Sequence, residues 1–180
     1  MRKGISIAVV LAAHAGTALG APVNDLIGDA LSLPPFDGGI TGTTVGATTD
    51  SGAPWTTTYV SSPGIWYTFQ GAGGTVTFDT DGPGTDFDTK LHGYTDYDGS
   101  NLASLSILDD NDDTVGLRSE ISFATTFGQD YWVLVSGFGG ATGNFDLNFS
   151  STAVVPVPAG ALLLGTALIG FAGVRRRRKV

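Results

Sequence analysis

Residues 64–80 read GIWYTFQGAGGTVTFDT, two runs of alternating apolar and polar residues joined by a glycine-rich link. In the first run Ile65, Tyr67 and Phe69 share one face, and in the second Val76 and Phe78 do. Successive side chains of a strand point to opposite faces, so a period of two marks strands buried on one side. An amphipathic helix would instead repeat its apolar residues every three or four positions. No convincing repeat of that kind occurs between residues 21 and 155.

The alternation recurs outward from this stretch. It brings together Phe87, Thr89 and Leu91, then Ala103, Leu105 and Ile107, then Ile121 and Phe123, and finally Phe145, Leu147 and Phe149. Around Trp132 both faces are apolar, with Tyr131, Val133 and Val135 on one and Trp132 and Leu134 on the other. Such a run suits a central strand or one that faces a covering loop. A weaker strand is expected around residues 40–45. The sum is about eight short strands separated by turn-rich sequence such as DGPG, DYDGS and FGQD, the pattern of an all-β sandwich or jelly roll. Ahead of them, Leu26, Ile27 and Leu31 are expected to pack an irregular or edge segment onto this body, which spans residues 21–152.

Both ends of the chain have a different character. Met1-Arg2-Lys3 precedes an apolar run at 5–19, and Ala18-Leu19-Gly20 offers the small residues that a signal peptidase accepts. Residues 1–20 therefore read as a signal peptide cut between Gly20 and Ala21, with an uncleaved anchor as the alternative. His14 lies inside this segment and drops out of any chemical argument. At the other end, residues 157–174 carry no charge and Arg175 to Lys179 are all basic. Crossing a bilayer takes about 20 apolar residues, and a basic cluster behind them stays on the cytoplasmic side. The expectation from residues 153–180 is a C-terminal transmembrane helix and a membrane-anchored precursor whose body faces outward.

All 17 acidic residues lie between Ala21 and Val155, where Lys90 and Arg118 are the only basic ones, a net charge near −15. A body so charged repels nucleic acid and attracts divalent cations or basic partners. The chain has no cysteine, so disulfides do not hold the exported fold together.

Catalytic chemistry has little to work with. The body has one histidine, His92, which alternates with Leu91 and reads as a surface residue. Nucleophile-elbow and HExxH patterns are missing from the sequence. Paired carboxylates such as Asp86 and Asp88 could hydrolyse a glycoside only in a cleft, which is hard to build in so small a sandwich. A non-catalytic protein is expected.

Calcium makes better use of the acidic residues, because it takes six to eight oxygen ligands and crowded carboxylates repel without a counter-charge. The candidate ligands are Asp86 and Asp88 in GTDFDTKL, Asp96, Asp98 and Asn101 in DYDGSN, and Asp110, Asn111, Asp112 and Asp113 in LDDNDD. The middle group lacks the closing Glu of an EF-hand loop. Acidic loops that simply keep an exported domain soluble are the alternative. Trp55, Trp66, Tyr94 and Tyr97 are candidate platforms for sugar or protein, or else core residues. Asn148-Phe149-Ser150 forms a glycosylation sequon on an expected strand.

Two resemblances rest on these residues. The body from about Asn24 to Ser150 resembles the bacterial pre-peptidase C-terminal domain through DFDTKL (86–91), LDDNDD (108–113) and YWVLVSGFGGATGNFDLNFS (131–150), three elements in order. That resemblance implies a small non-catalytic β-sandwich of exported proteins, some of which bind calcium or matrix polymers, with Asp88 and Asn111 to Asp113 at the calcium-side loop. The tail resembles the PEP-CTERM sorting signals in its form Val155-Pro156-Val157-Pro158-Ala159-Gly160, followed by the apolar run and the basic cluster. It implies cutting near Pro156 or Pro158 by an exosortase-type enzyme, and association with exopolysaccharide at the surface or in the extracellular matrix of a Gram-negative bacterium.

Overall fold

The computed structural model describes residues 20–34, 37–55 and 62–152. Among them run nine strands: β1 Leu31–Ser32, β2 Gly38–Thr43, β3 Gly64–Gln70, β4 Gly74–Asp79, β5 Thr89–Thr95, β6 Ser106–Asn111, β7 Glu120–Thr125, β8 Asp130–Gly137 and β9 Asn144–Thr152. They build two facing sheets, ordered β1-β3-β8-β5-β6 and β2-β9-β4-β7. The all-β sandwich expected from the alternation is the observed architecture.

The two runs of residues 64–80 part company. Strand β3 pairs antiparallel with β8 in the first sheet, whereas β4 pairs with β7 and β9 in the second. Gly71 makes the crossing: its N–H donates to Gln129 O at 2.8 Å, and a Cβ there would stand 2.3 Å from Thr126 O. Only a residue without a side chain lets the link run so close to the neighbouring turn.

Between the sheets lies one apolar cluster, made by the faces that the period of two selects: Ile65, Tyr67 and Phe69 against Val76 and Phe78, with Ile121, Phe123, Val133, Val135, Phe145, Leu147 and Phe149. Aromatic pairs hold its middle, with Phe69 and Tyr131 stacked at 5.4 Å and Phe78 and Phe123 at 6.3 Å between ring centres. Gly93, where the β5–β6 pairing shifts register, lets Phe123 press on β5, because a Cβ there would meet the Phe123 ring at 2.4 Å.

A second apolar cluster covers the outer face of the five-stranded sheet, formed by Ile27, Ala53, Trp66, Tyr94, Leu105 and Leu134. Two segments make this cover. Asn24 brackets Trp66, its Nδ2 donating to Trp66 O and its carbonyl accepting from Trp66 N, both at 2.9 Å. Asp25 in turn accepts from Thr48 N at 2.5 Å and Thr48 Oγ1 at 2.8 Å. Trp66 Nε1 donates to Asp50, and Tyr94 OH donates to Pro54 O at 2.8 Å. Every residue of β5 is buried as a result.

Several expectations need correction. The weak early strand runs over 38–43 rather than 40–45. Leu102–Ser104 is a 3-10 turn, started by Asn101 Oδ1 accepting from Ala103 N, so the strand begins at Ser106. In the leading segment Ile27 and Leu33 are buried while Leu26 and Leu31 are exposed. His92 is no surface residue: it points out of the main core as expected, but the covering segments leave it wholly buried. The transmembrane helix and the membrane-anchored precursor are not supported. Among the described residues no helix is long and apolar enough to cross a membrane, the helical pieces being 3-10 turns of three residues each. A span needs about 20 residues. Residues 1–19 and 153–180, with Pro156, Pro158 and the run 157–174, lie outside the described residues.

Candidate metal centre

The loops after β2, β4, β6 and β8 all emerge at one end of the sandwich, and there the chain brings Asp88, Asp112 and Asp113 together. One carboxylate oxygen from each lies within 4.8 Å of the other two. Asp88 comes from the turn entering β5, and Asp112 and Asp113 follow the end of β6. Leu91 pairs with Asn111 across these two strands, so the register itself places Asp88 beside Asp113 and Asp112.

Buried hydroxyls fix the geometry behind the carboxylates. Ser119 Oγ lies 2.6 Å from both Thr89 O and Asp112 O. Thr80 Oγ1 is 2.6 Å from Thr89 Oγ1 and accepts from Ser119 N at 3.0 Å. Arg118 closes the floor by donating to Phe87 O at 3.0 Å and to Thr85 O. Its guanidinium is thus directed to carbonyls of the turn that carries Asp88.

Asp88 Oδ1 and Asp112 Oδ1 are buried without a hydrogen-bond partner. Burial, with Asp113 nearby, pushes the Asp88 carboxyl up, against the opposing pull of Lys90 and Arg118. Burial likewise pushes Asp112 up, while Lys90 lowers it and Asp88 and Asp113 raise it. Lys90 itself lies with Nζ 2.9 Å from the centre of the Trp55 ring, and burial lowers its pKa. Carboxylate oxygens that are shielded from water and lack a donor fit a hard cation. An all-oxygen donor set of this kind suits calcium, magnesium or manganese over softer metals.

The other candidate ligands go elsewhere. Asp86 turns away from Asp88 and accepts from Asn144 N at 2.8 Å and Asn144 Nδ2 at 3.0 Å. Asp96 is exposed at φ 65°, and Asp98 accepts from Ser100 N and Asn101 N, each at 2.8 Å, at the opposite end of the sandwich. Those bonds hold the Asp98 carboxyl below the usual range. Asp110 pairs in register with His92 on the outer face. Asn111 Oδ1 accepts from Thr114 Oγ1 at 2.8 Å and Glu120 N at 3.2 Å. With Asp109 Oδ2, which accepts from Ser122 N at 2.7 Å, it fastens the β6 edge of one sheet to the β7 edge of the other.

Of the aromatic candidates, Trp66 and Tyr94 are fully buried core, Trp55 is half-covered beneath Lys90, and Tyr97 meets Trp132 edge-on. Asn148 Nδ2 donates to Asp79 Oδ1 at 2.8 Å across the strands. His92 Nε2 lies 3.1 Å from Ser136 Oγ, but both side chains are wholly buried and burial drives the imidazole pKa down to about 3. No substrate reaches that pair as it stands. The sequence reading missed Ser119, Thr80 and Thr89, whose plain hydroxyls show no pattern until the strands are paired.

No protein-family model matches the chain, and no curated protein sequence does. Among solved structures the chain is similar to a periplasmic lysozyme inhibitor of g-type lysozyme, PliG of Aeromonas hydrophila, at 13% identity and a TM-score of 0.43, over 67% of this chain and 94% of that one.

Proposed function

We propose that the body is an exported, non-catalytic binding module whose loop end is organised by a calcium ion held by Asp88, Asp112 and Asp113. The observation that carries this reading is that Asp88 and Asp112 each hold a buried, partnerless oxygen and, with Asp113, bring carboxylate oxygens within 4.8 Å of one another. Calcium takes six to eight oxygens, so three carboxylates fill part of its shell and leave the remainder for water, carbonyls or a ligand. The ion would neutralise repulsion among the three acids and tie the entry of β5 to the exit of β6.

The signal-peptide pattern at 1–20 and the acidity of the body support export. The resemblance to the pre-peptidase C-terminal domain supports an accessory role. The proline motif supports cutting near Pro156 or Pro158 by an exosortase-type enzyme. A matrix role beside exopolysaccharide rests on that tail motif alone. The binding reading rests on the loop end and comes first.

The test is the thermal midpoint of the chain in calcium and in chelator. A saturable rise with calcium that disappears in Asp112→Asn supports the reading. An identical midpoint in both conditions, with no heat of calcium binding, removes it.

A further inference from the structure

The outermost strands of the two sheets are β1, β6, β2 and β7, and their edges are finished differently. Strand β1 is two residues long, and β6 carries Asp109 and Asp110. On β7 the N–H groups that point away from β4 are capped by side chains. Glu120 N donates to Asn111 Oδ1 at 3.2 Å, and Ser122 N donates to Asp109 Oδ2 at 2.7 Å. Strand β2 has no such finish. Thr44 N donates to Gly143 O at 2.9 Å, one step beyond the pair Thr43↔Asn144. Antiparallel alternation therefore turns the backbone groups of Gly38, Ile40 and Gly42 toward β9 and those of Gly39, Thr41 and Thr43 outward. Among the described residues no strand or side chain takes up these outward N–H groups. Charge, proline and bulges are the usual means of blocking an open edge, and β2 contains none of them.

We propose that β2 is a dimerisation edge, pairing antiparallel with β2 of a second copy about a two-fold axis at Thr41. The proposal is independent of the cation reading. Self-complementarity argues for a second copy. Only the register centred on Thr41 sets all three outward-facing residues against one another, Thr41 against its own counterpart and Gly39 against the counterpart of Thr43. Each such pair exchanges both of its N–H···O bonds. The same register lays Ile40, half-exposed at the rim of the core, opposite the counterpart of Gly42, a large side chain beside a residue with none. Threonines face each other on the outer side, a favourable cross-strand pair. Charge points to the same edge. Residues 38–49 are uncharged in a body of net charge near −15, so two copies meet here with the least local repulsion, and their Asp37 residues lie at opposite ends of the pair. The two four-stranded sheets join into one, and antiparallel pairing sends the two acidic loop ends in opposite directions. A dimer of this shape bridges two ligands rather than gripping one surface twice.

The chain has no cysteine, so single cysteines read the register directly. Facing Cα atoms of such a pair are about 5.5 Å apart, within disulfide reach. Residues two positions off the axis lie more than about 13 Å from their counterparts. Full-length Thr41→Cys should therefore cross-link under mild oxidation, and Thr43→Cys should not. Sedimentation of the full-length wild type, in detergent that occupies the apolar residues 157–174, should show a dimer. Its dissociation constant should fall as salt rises from about 20 to about 500 mM, because screening weakens the repulsion between the bodies. Thr41→Pro removes an N–H that β9 does not use, and Thr41→Asp sets two carboxylates face to face. Each should weaken dimerisation by roughly tenfold or more, the worth of a pair of hydrogen bonds. The thermal midpoint, read at dilutions where the wild type is monomeric, should stay near the wild-type value for at least one of them. A wild type that remains monomeric overturns the proposal, and so does cross-linking of Thr43→Cys as readily as Thr41→Cys. A dimer that survives both substitutions at position 41 belongs to another surface and overturns it too. Slow hydrogen exchange at the Thr41 and Thr43 amides of the monomer means that another part of the same chain covers the edge, which overturns the dimer equally.

Discussion

His92 Nε2 sits 3.1 Å from Ser136 Oγ in a chamber sealed by Trp55, whose ring meets the imidazole edge-on at 5.0 Å. Its Nδ1 is buried with no partner. Burial first, then the charge of Lys90, hold the pKa down at about 3. The folded protein therefore keeps this ring neutral where the unfolded chain takes up a proton.

The sign of the pH effect follows. The contribution is fully present above pH 6.5, the ordinary value, and is lost as pH falls from there toward 3. The slope is at most about 1.4 kcal/mol per pH unit. Denaturant titrations between about pH 5 and 6.5, above the usual carboxylate range, should show stability falling with pH in the wild type and a flatter profile in His92→Gln. Equal slopes would mean that water reaches the ring.

Asp88 and Asp112 behave in the opposite sense. Their folded pKa values are raised by burial, so without metal their ionisation costs stability as pH rises from 3.8 through the raised values. Bound calcium favours the ionised form. The gain in thermal midpoint from calcium should be near zero at the acidic end and grow with pH across this window. A calcium effect that is independent of pH would place the ion away from these carboxylates.

Ser119 joins the two halves of the centre through Thr89 O and Asp112 O. Ser119→Ala removes the single hydroxyl proton that these two carbonyls share, at a cost of about 1–2 kcal/mol. Calcium affinity should fall as well, since Asp112 loses its anchor. Calorimetry on the variant checks this, and unchanged affinity would show that the loop holds its shape unaided.

Gly93 offers a test of the core. A methyl group there meets the Phe123 ring at 2.4 Å, so Gly93→Ala must push β7 outward. Overpacking of this kind costs about 1–3 kcal/mol. Chemical denaturation should show the loss, and Phe123→Leu should recover part of it in the double variant.

Asp86→Asn should leave calcium affinity near the wild-type value, because Asp86 is spent on Asn144 rather than on the cluster. Asp113→Asn, at the exposed member of the cluster, should weaken calcium binding. The two isotherms together separate the three-residue centre from a general effect of acidity.

The run LDDNDD shows how far the chain alone could be read. Its acidity and its proximity to DFDTKL were visible as calcium chemistry, and Asp88, Asp112 and Asp113 were all among the candidates. Their division of labour was not. Asp109 and Asn111 face β7 and cap its edge, Asp110 takes the other face beside His92, and the chain beyond the strand carries Asp112 and Asp113 into the cluster. Alternation tells which residues share a face but not which neighbour lies across it.

The sequence by itself determined the all-β character, most of the strands and the inner faces of both sheets, because burial against one core imposes a period of two on each strand. It also showed the separation of charge between the body and its ends. Only the tertiary structure decided that β3 and β4, adjacent in GIWYTFQGAGGTVTFDT, belong to opposite sheets. It alone decided that a second cluster buries His92, and that three carboxylates from two loops meet. Each of these depends on contacts between residues far apart in the chain, and no local pattern encodes such a contact.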